Sequence, residues 1–183
     1  MNRLFYRVLS GRFGAHIELR ILMKQTAKVF GVDAPKDAGH PAPELLKTYA
    51  QFTAEEAVNA IKHGNDPDIL HQGLYQMAYG LGSRLRRWLR PQDEQDCLAL
   101  VILLYRNIGI QIEEEAAETF CVRKCYFSAF YTPEVCSVIS AVDQGIFAGI
   151  YQGGRLTFQE RITEGCDVCR ADFKRNRTSQ TQD

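Results

Sequence analysis

The sequence has no excess of charge of either sign and no long hydrophobic run. Its 22 Lys and Arg residues balance 22 Asp and Glu residues, so the formal net charge is zero. The protein as a whole therefore lacks the positive field that would attract nucleic acid or an acidic membrane. No segment approaches the roughly 18 uncharged apolar residues that a membrane-spanning helix needs. Residues 1–14 lack the continuous apolar segment of a secretory signal. We therefore expect a cytoplasmic protein that neither binds nucleic acid nor spans a membrane.

Histidine is also scarce, and no histidine belongs to a metal-ligand or catalytic-triad motif. The chain contains His16, His40, His63 and His71. Cysteine, by contrast, is concentrated, because five of the six cysteines lie between residues 121 and 169. In a reducing compartment, clustered cysteines more often indicate metal binding, catalysis or burial than disulfides. The chemistry of this chain is therefore expected in its last third.

The first two-thirds of the chain predict helices. Apolar residues spaced by three and four predict one helix ending at Gly31 and another ending before Pro91. A nearly continuous apolar segment, residues 97–105, predicts a central helix. Between the first two helices, a short helix is predicted around Tyr49, and a capping box at Thr53 predicts the start of a separate one.

The last third predicts a small antiparallel sheet with one packed helix. Alternating apolar residues from Ile108 to Ile112, and again at residues 120–122, predict strands. Thr132 can cap a helix that continues to the break at residues 153–154. A hairpin is predicted around Glu164–Gly165. We expect an α+β fold with a single domain over residues 1–174 (helical over 1–105, sheet plus helix over 106–174) and a flexible tail over 175–183.

Two interpretations of the cysteines are open. The spacings Cys121-x3-Cys125 and Cys166-x2-Cys169 could supply four thiolates to zinc or to an iron–sulfur cluster if the first strand ends near the hairpin. Free cysteine is also among the most frequently buried residue types, so the same residues can be plain core positions. A metal-binding module of this kind would serve a redox-protein partner.

Cys136 stands apart from those four cysteines because it follows the predicted helix start at Thr132. Free amide groups and the helix dipole favour a thiolate at such a position. Asp143 lies two turns further along and can face the same cavity, which would give a nucleophile and a proton-transfer group. The competing interpretation is a small buried residue near a capped carboxylate. Arg161 alternates away from the apolar face of its strand, and it could bind a substrate carboxylate or pair with a surface acid such as Asp172.

These motifs resemble those of a known enzyme family. The pair Cys136-x6-Asp143, followed by GRLTFQERITEGCDVCRADF over Gly154–Phe173, is similar to the closing signature of the L-2-amino-thiazoline-4-carboxylic acid hydrolase family. The resemblance covers residues 105–174 and, more weakly, residues 15–30. Cys166 departs from it, because a polar residue is expected at that position of the hairpin. The hairpin is also similar to the end of 4-vinyl-reductase-type domains, which bind small molecules.

The resemblance implies a hydrolase that opens a small cyclic substrate of the amidine or amide type, similar to a thiazoline carboxylate, and so a small-molecule substrate without a cofactor. It implies Cys136 as nucleophile, Asp143 as acid/base or orienting group, and Arg161 and Thr163 as substrate-binding residues. The alternatives are the metal-binding module and an apolar-ligand sensor built from the helices around Met77 and Trp88. A homo-oligomer is compatible with each of these interpretations.

Overall fold

The computed structural model describes residues 12–36 and 39–175. This part of the chain begins with four helices, namely α1 (Arg12–Phe30), α2 (Ala42–Lys62), α3 (Pro67–Leu89) and α4 (Glu94–Asn107). Strands β1 (Ile110–Ala116) and β2 (Thr119–Cys125) follow, and then helices α5 (Pro133–Ile139) and α6 (Ala141–Tyr151). Strands β3 (Arg155–Glu160) and β4 (Cys169–Lys174) come last, and short 3-10 helices span Tyr126–Ala129 and Ile162–Glu164.

The four strands form one antiparallel sheet in the order β1-β2-β4-β3. Because paired residues project to the same side of a sheet, the pairs Phe120–Ala171 and Val122–Cys169 share a face. That face packs against the helices, and Phe120 makes an edge contact with Phe147 of α6 at a centroid distance of 4.9 Å. The α+β prediction with an antiparallel sheet is confirmed.

Helix α6 lies close against α3 because both helices carry glycines where they cross. A Cβ added at Gly149 would lie 2.5 Å from the Tyr79 carbonyl oxygen, and one added at Gly145 would lie 2.4 Å from that of Tyr75. Backbone therefore packs directly on backbone along this crossing. The crossing fixes the position of α6, which carries Asp143.

Several predicted boundaries are confirmed. Gly31 ends α1 with a positive φ of 74°, and α3 ends at Leu89, two residues before Pro91. The Thr132 hydroxyl accepts a hydrogen bond from the Val135 amide, as expected of a cap. Strands β3 and β4 form the predicted pair. The predicted tail, except Arg175, lies outside the described residues.

Two helix predictions were wrong. The helix predicted at residues 132–152 is two helices that meet at Ser140, whose hydroxyl donates to the Ser137 carbonyl at 2.8 Å. Such local side-chain bonds compete with continuation of a helix. The capping box at Thr53 does not begin a helix, because Thr53 lies inside α2 and is fully buried. No helix in the described ranges is both long enough and apolar enough to span a membrane.

Candidate functional site

Cys136 and Asp143 face common space between the sheet and the helices. Two adjacent cavities lie here: the sheet cavity, about 60 Å³ and bounded by β-sheet residues such as Phe120 and Leu156, and the helix cavity, about 80 Å³ and bounded by helix and loop residues such as Leu22 and Tyr131. The side chains that border both cavities are those of Ile110, Cys125, Cys136, Ser140, Asp143 and Cys169. The structure thus brings the proposed nucleophile and carboxylate to one place, although they lie on different helices.

Arg161 is the charged group beside the Cys136 sulfur. Its Nη1 donates to Cys136 Sγ at 3.6 Å and approaches the Cys136 carbonyl oxygen at 3.5 Å. The guanidinium also lies over the Phe158 ring, 4.4 Å from the centroid, and its Nε is 3.5 Å from Glu164 Oε1. The side chain is only 14% exposed. A largely buried and oriented guanidinium suits both a thiolate and a planar carboxylate.

This contact replaces the helix start as the main electrostatic feature at Cys136. Helix α5 has seven residues, so its dipole is small compared with the full charge of a guanidinium. Arg161 itself follows the last residue of β3 rather than lying within the strand. That position turns its side chain into the sheet cavity, where it is one of the bordering residues. The alternative of an ion pair with a surface acid is met by Glu164 and not by Asp172, which accepts from Thr119 and Gln159.

Asp143 is held by Tyr105. The Tyr105 hydroxyl donates to Asp143 Oδ1 at 2.7 Å. Burial raises the pKa of Asp143 to about 6, although the Tyr105 hydrogen bond and the charge of Arg161 both oppose the rise. A carboxyl group with a pKa near neutrality can take up and return a proton in turnover. Asp143 is therefore suited to proton transfer.

Thr163 borders the helix cavity. Its hydroxyl is buried and has no hydrogen-bond partner among the described residues. Buried polar atoms in folded proteins nearly always have a partner. The free hydroxyl is accordingly a candidate contact for a polar ligand atom, and the substrate-binding role of Thr163 stays a prediction.

The remaining thiols differ from Cys136 in their surroundings. Burial raises the pKa of Cys125 to about 12 and also raises the pKa of Cys169, whose sulfur accepts from the Ile162 amide at 3.3 Å. Both therefore remain protonated at neutral pH, when neither is a good nucleophile. Of the three thiols around these cavities, only Cys136 lies against a guanidinium.

The four cysteines of the metal interpretation are not gathered at one point. Cys121 pairs with Arg170 across the sheet, whereas Val122 pairs with Cys169. Because neighbouring residues of a strand point to opposite faces, Cys121 and Cys169 lie on opposite faces of the sheet. Within the described part of the chain, no three His, Cys, Asp or Glu side chains form a group that could hold an ion. This arrangement does not provide the tetrahedral thiolate set that the interpretation requires.

Sequence reasoning missed Tyr105 and a second, partly buried acid, Glu18. Both border a large cavity of about 310 Å³ enclosed by helices α1, α3, α4 and α6, which Asp143 also borders. A signal for Glu18 was present, since it is an acidic residue next to Leu19 at the edge of the apolar stripe of α1. Tyr105 had no comparable signal, because it ends the nearly continuous apolar segment of residues 97–105. Of the residues named for an apolar-ligand site, Trp88 borders the large cavity, and Met77 instead packs against the core.

Comparison of the sequence with protein families and with curated proteins assigns no function to the chain. No protein-family model matches the sequence, and no curated protein matches it either.

Proposed function

We propose that this protein is a hydrolase that opens a small cyclic amidine carboxylate of the thiazoline type. The observation that carries the proposal is the placement of Cys136 Sγ 3.6 Å from Arg161 Nη1, on the wall of cavities that Asp143 also borders. A nucleophile, a proton carrier and a carboxylate-binding group are the components that such a reaction needs.

The size of the two small cavities supports a small substrate. The two cavities have volumes of about 60 and 80 Å³, each several times the minimum of roughly 10–15 Å³ that one water molecule needs. Volumes of this order suit a small ring compound rather than a polymer or a large cofactor.

The proposed reaction begins with transfer of the Cys136 proton to Asp143. The thiolate attacks the ring carbon that lies between nitrogen and sulfur, and a carbon–sulfur bond forms. One ring bond of that carbon then breaks, and its departing heteroatom takes the proton from Asp143. Water, deprotonated by Asp143, attacks the same carbon and expels the Cys136 thiolate, which recovers the proton. The net change is the addition of one water molecule to the substrate, with no oxidant or reductant.

Arg161 and Thr163 have binding roles in this proposal. The guanidinium has five N–H donors, so it can bind a carboxylate while Nη1 remains near the sulfur. The amidine of the substrate is a cation when protonated, and the Asp143 carboxylate is complementary to it. The unpartnered hydroxyl of Thr163 is available to a ring heteroatom.

Cys136→Ser is expected to lower turnover of L-2-amino-thiazoline-4-carboxylate by at least about 10³-fold, since a hydroxyl is a much weaker nucleophile than a thiolate at neutral pH. The measurement is mass spectrometry of the ring-opened product, which is heavier than the substrate by one water. Cys166→Ser is the matched control, because Cys166 borders neither small cavity, and it should retain activity. Full turnover by the Cys136→Ser enzyme would exclude this mechanism.

The rate should also depend on the protonation of Asp143. Since burial raises the pKa of Asp143 to about 6, the carboxylate that accepts the thiol proton predominates only above that pH. We expect kcat/KM to rise with pH through about 6. Tyr105→Phe removes the hydrogen bond that favours the Asp143 carboxylate, so the pKa of Asp143 rises. The rising limb of the pH–rate profile, the part in which kcat/KM increases with pH, then moves to higher pH. Tyr75→Phe, outside these cavities, should leave the limb in place, and an unmoved limb in Tyr105→Phe would contradict the assignment.

A further inference from the structure

The large cavity defined above has a volume of about 310 Å³, which is within the range of small-molecule sites. Its walls are mainly apolar and include Leu81 and Leu85 of α3. Trp88 and Ile21 lie at its edge. The Trp88 side chain is 57% exposed, and that of Ile21 is 40% exposed. Large exposed side chains beside an apolar cavity indicate an opening through which a ligand can enter.

The charged groups of this cavity are unevenly placed. Glu18 and Asp143 lie on its inner wall beside the buried Tyr105, and Arg84 lies on the exposed side of α3. The Asn107 amide donates to Glu18 at 3.1 Å, yet burial still raises the pKa of Glu18 to about 8. Burial likewise raises the pKa of Asp143. The inner end thus carries two carboxyl groups whose ionised forms are disfavoured by burial, and a cation beside them would favour those forms.

We propose that the large cavity binds an amphiphilic organic cation, with an ammonium or amidinium head at Glu18 and Asp143 and an aliphatic chain along Leu81, Leu85 and Trp88. A cationic head donates hydrogen bonds to both carboxyl groups and compensates their charge in a low-dielectric environment. The chain gains from removal of its apolar surface from water.

Amphiphiles of the same chain length with an anionic or a neutral head group fit the cavity less well. A carboxylate head would meet Glu18 and Asp143 at the inner end and would be repelled by them. An anionic amphiphile could contact Arg84 only if its carboxylate lay at the exposed side of the cavity. A neutral alcohol would gain the chain contacts but would leave both carboxyl groups without a counter-charge. The proposal does not depend on the hydrolase activity, although the shared Asp143 places the two sites in contact.

The test compares octylamine, octanol and octanoate by isothermal titration calorimetry at pH 8, where the amine is a cation. We expect octylamine to bind at least about tenfold more tightly than the other two, the factor that one hydrogen bond to a charged group supplies. In Glu18→Gln this preference should fall about tenfold while octanol affinity stays constant. Because only binding is measured, failure here leaves the test of Cys136 unaffected.

Two variants of α3 test where the aliphatic chain of the ligand binds. Leu85→Ala, on the cavity wall, should weaken binding of all three compounds. Ile69→Ala should not, because Ile69 is 70% exposed and does not border the cavity. The proposal is overturned if octanol or octanoate binds as tightly as octylamine, if octylamine does not bind, or if its preference survives in Glu18→Gln.

Discussion

Gly82→Ala is expected to destabilise the protein by about 3 kcal/mol or more, because overpacking of a close contact typically costs 1–3 kcal/mol and exceeds this when the neighbour cannot move. A Cβ at this position would lie 2.6 Å from the Ile146 carbonyl oxygen and 3.1 Å from Gly149 Cα. Both neighbours are backbone atoms of α6. Relief therefore requires movement of the whole helix rather than a rotamer change.

Gly80 provides a matched control two residues away on the same helix. A Cβ added there has no atom within 4 Å. Alanine favours a helix over glycine by roughly 0.5–1 kcal/mol, so Gly80→Ala should stabilise the protein by that amount. Urea unfolding followed by circular dichroism gives both free energies. Equal stability of the two variants would show that α3 and α6 are not in the close contact described.

The same crossing connects stability to the candidate site. Helix α6 carries Asp143, whose hydrogen bond with Tyr105 of α4 is 2.7 Å long. A displacement of α6 by a few tenths of an ångström would alter that bond. The glycines at the crossing thus position a proposed reactive group from a distance.

The regular features of the fold could be predicted from local sequence. Glycine at residue 31, proline at residue 91 and the Thr132 cap act within one turn of the chain, so their effects are visible without tertiary information. The capping box at Thr53 was misleading for the opposite reason. Thr53 is buried, and its hydroxyl contacts Tyr131 at 2.5 Å, a residue 78 positions away. Tertiary packing overrode the local signal there.

The candidate site divides in the same way. Cys136, Asp143 and Arg161 could be predicted because they belong to one motif in the last third of the chain. Tyr105 and Glu18 could not, because their significance lies in contacts with distant residues. Tyr105 is 38 positions from Asp143, and Glu18 is 89 positions from its partner Asn107. A single sequence carries no record of such pairings.

Glu18→Gln is expected to stabilise the protein at alkaline pH and to have little effect near pH 4.5. In the unfolded chain Glu18 loses its proton near the ordinary value of 4.5, whereas in the folded protein its pKa is about 8. Between these values the folded state binds more protons than the unfolded state, so the stability contributed by Glu18 falls as pH rises. Above about pH 8 the full penalty applies. Glutamine removes the ionisation and keeps an acceptor for the Asn107 amide.

One pKa unit corresponds to about 1.4 kcal/mol, which for the full shift of Glu18 gives an upper limit of roughly 5 kcal/mol. Because the Glu18 side chain is only partly buried and solvent screens it, we expect a smaller gain of about 2–3 kcal/mol at pH 9. Urea unfolding of both proteins from pH 4.5 to 9 measures the difference. The pKa of Asp143 is about 6, so the part of the difference that develops between pH 6 and 8 belongs to Glu18. A constant difference across this range would mean that Glu18 is not the acid of raised pKa that the cation site includes.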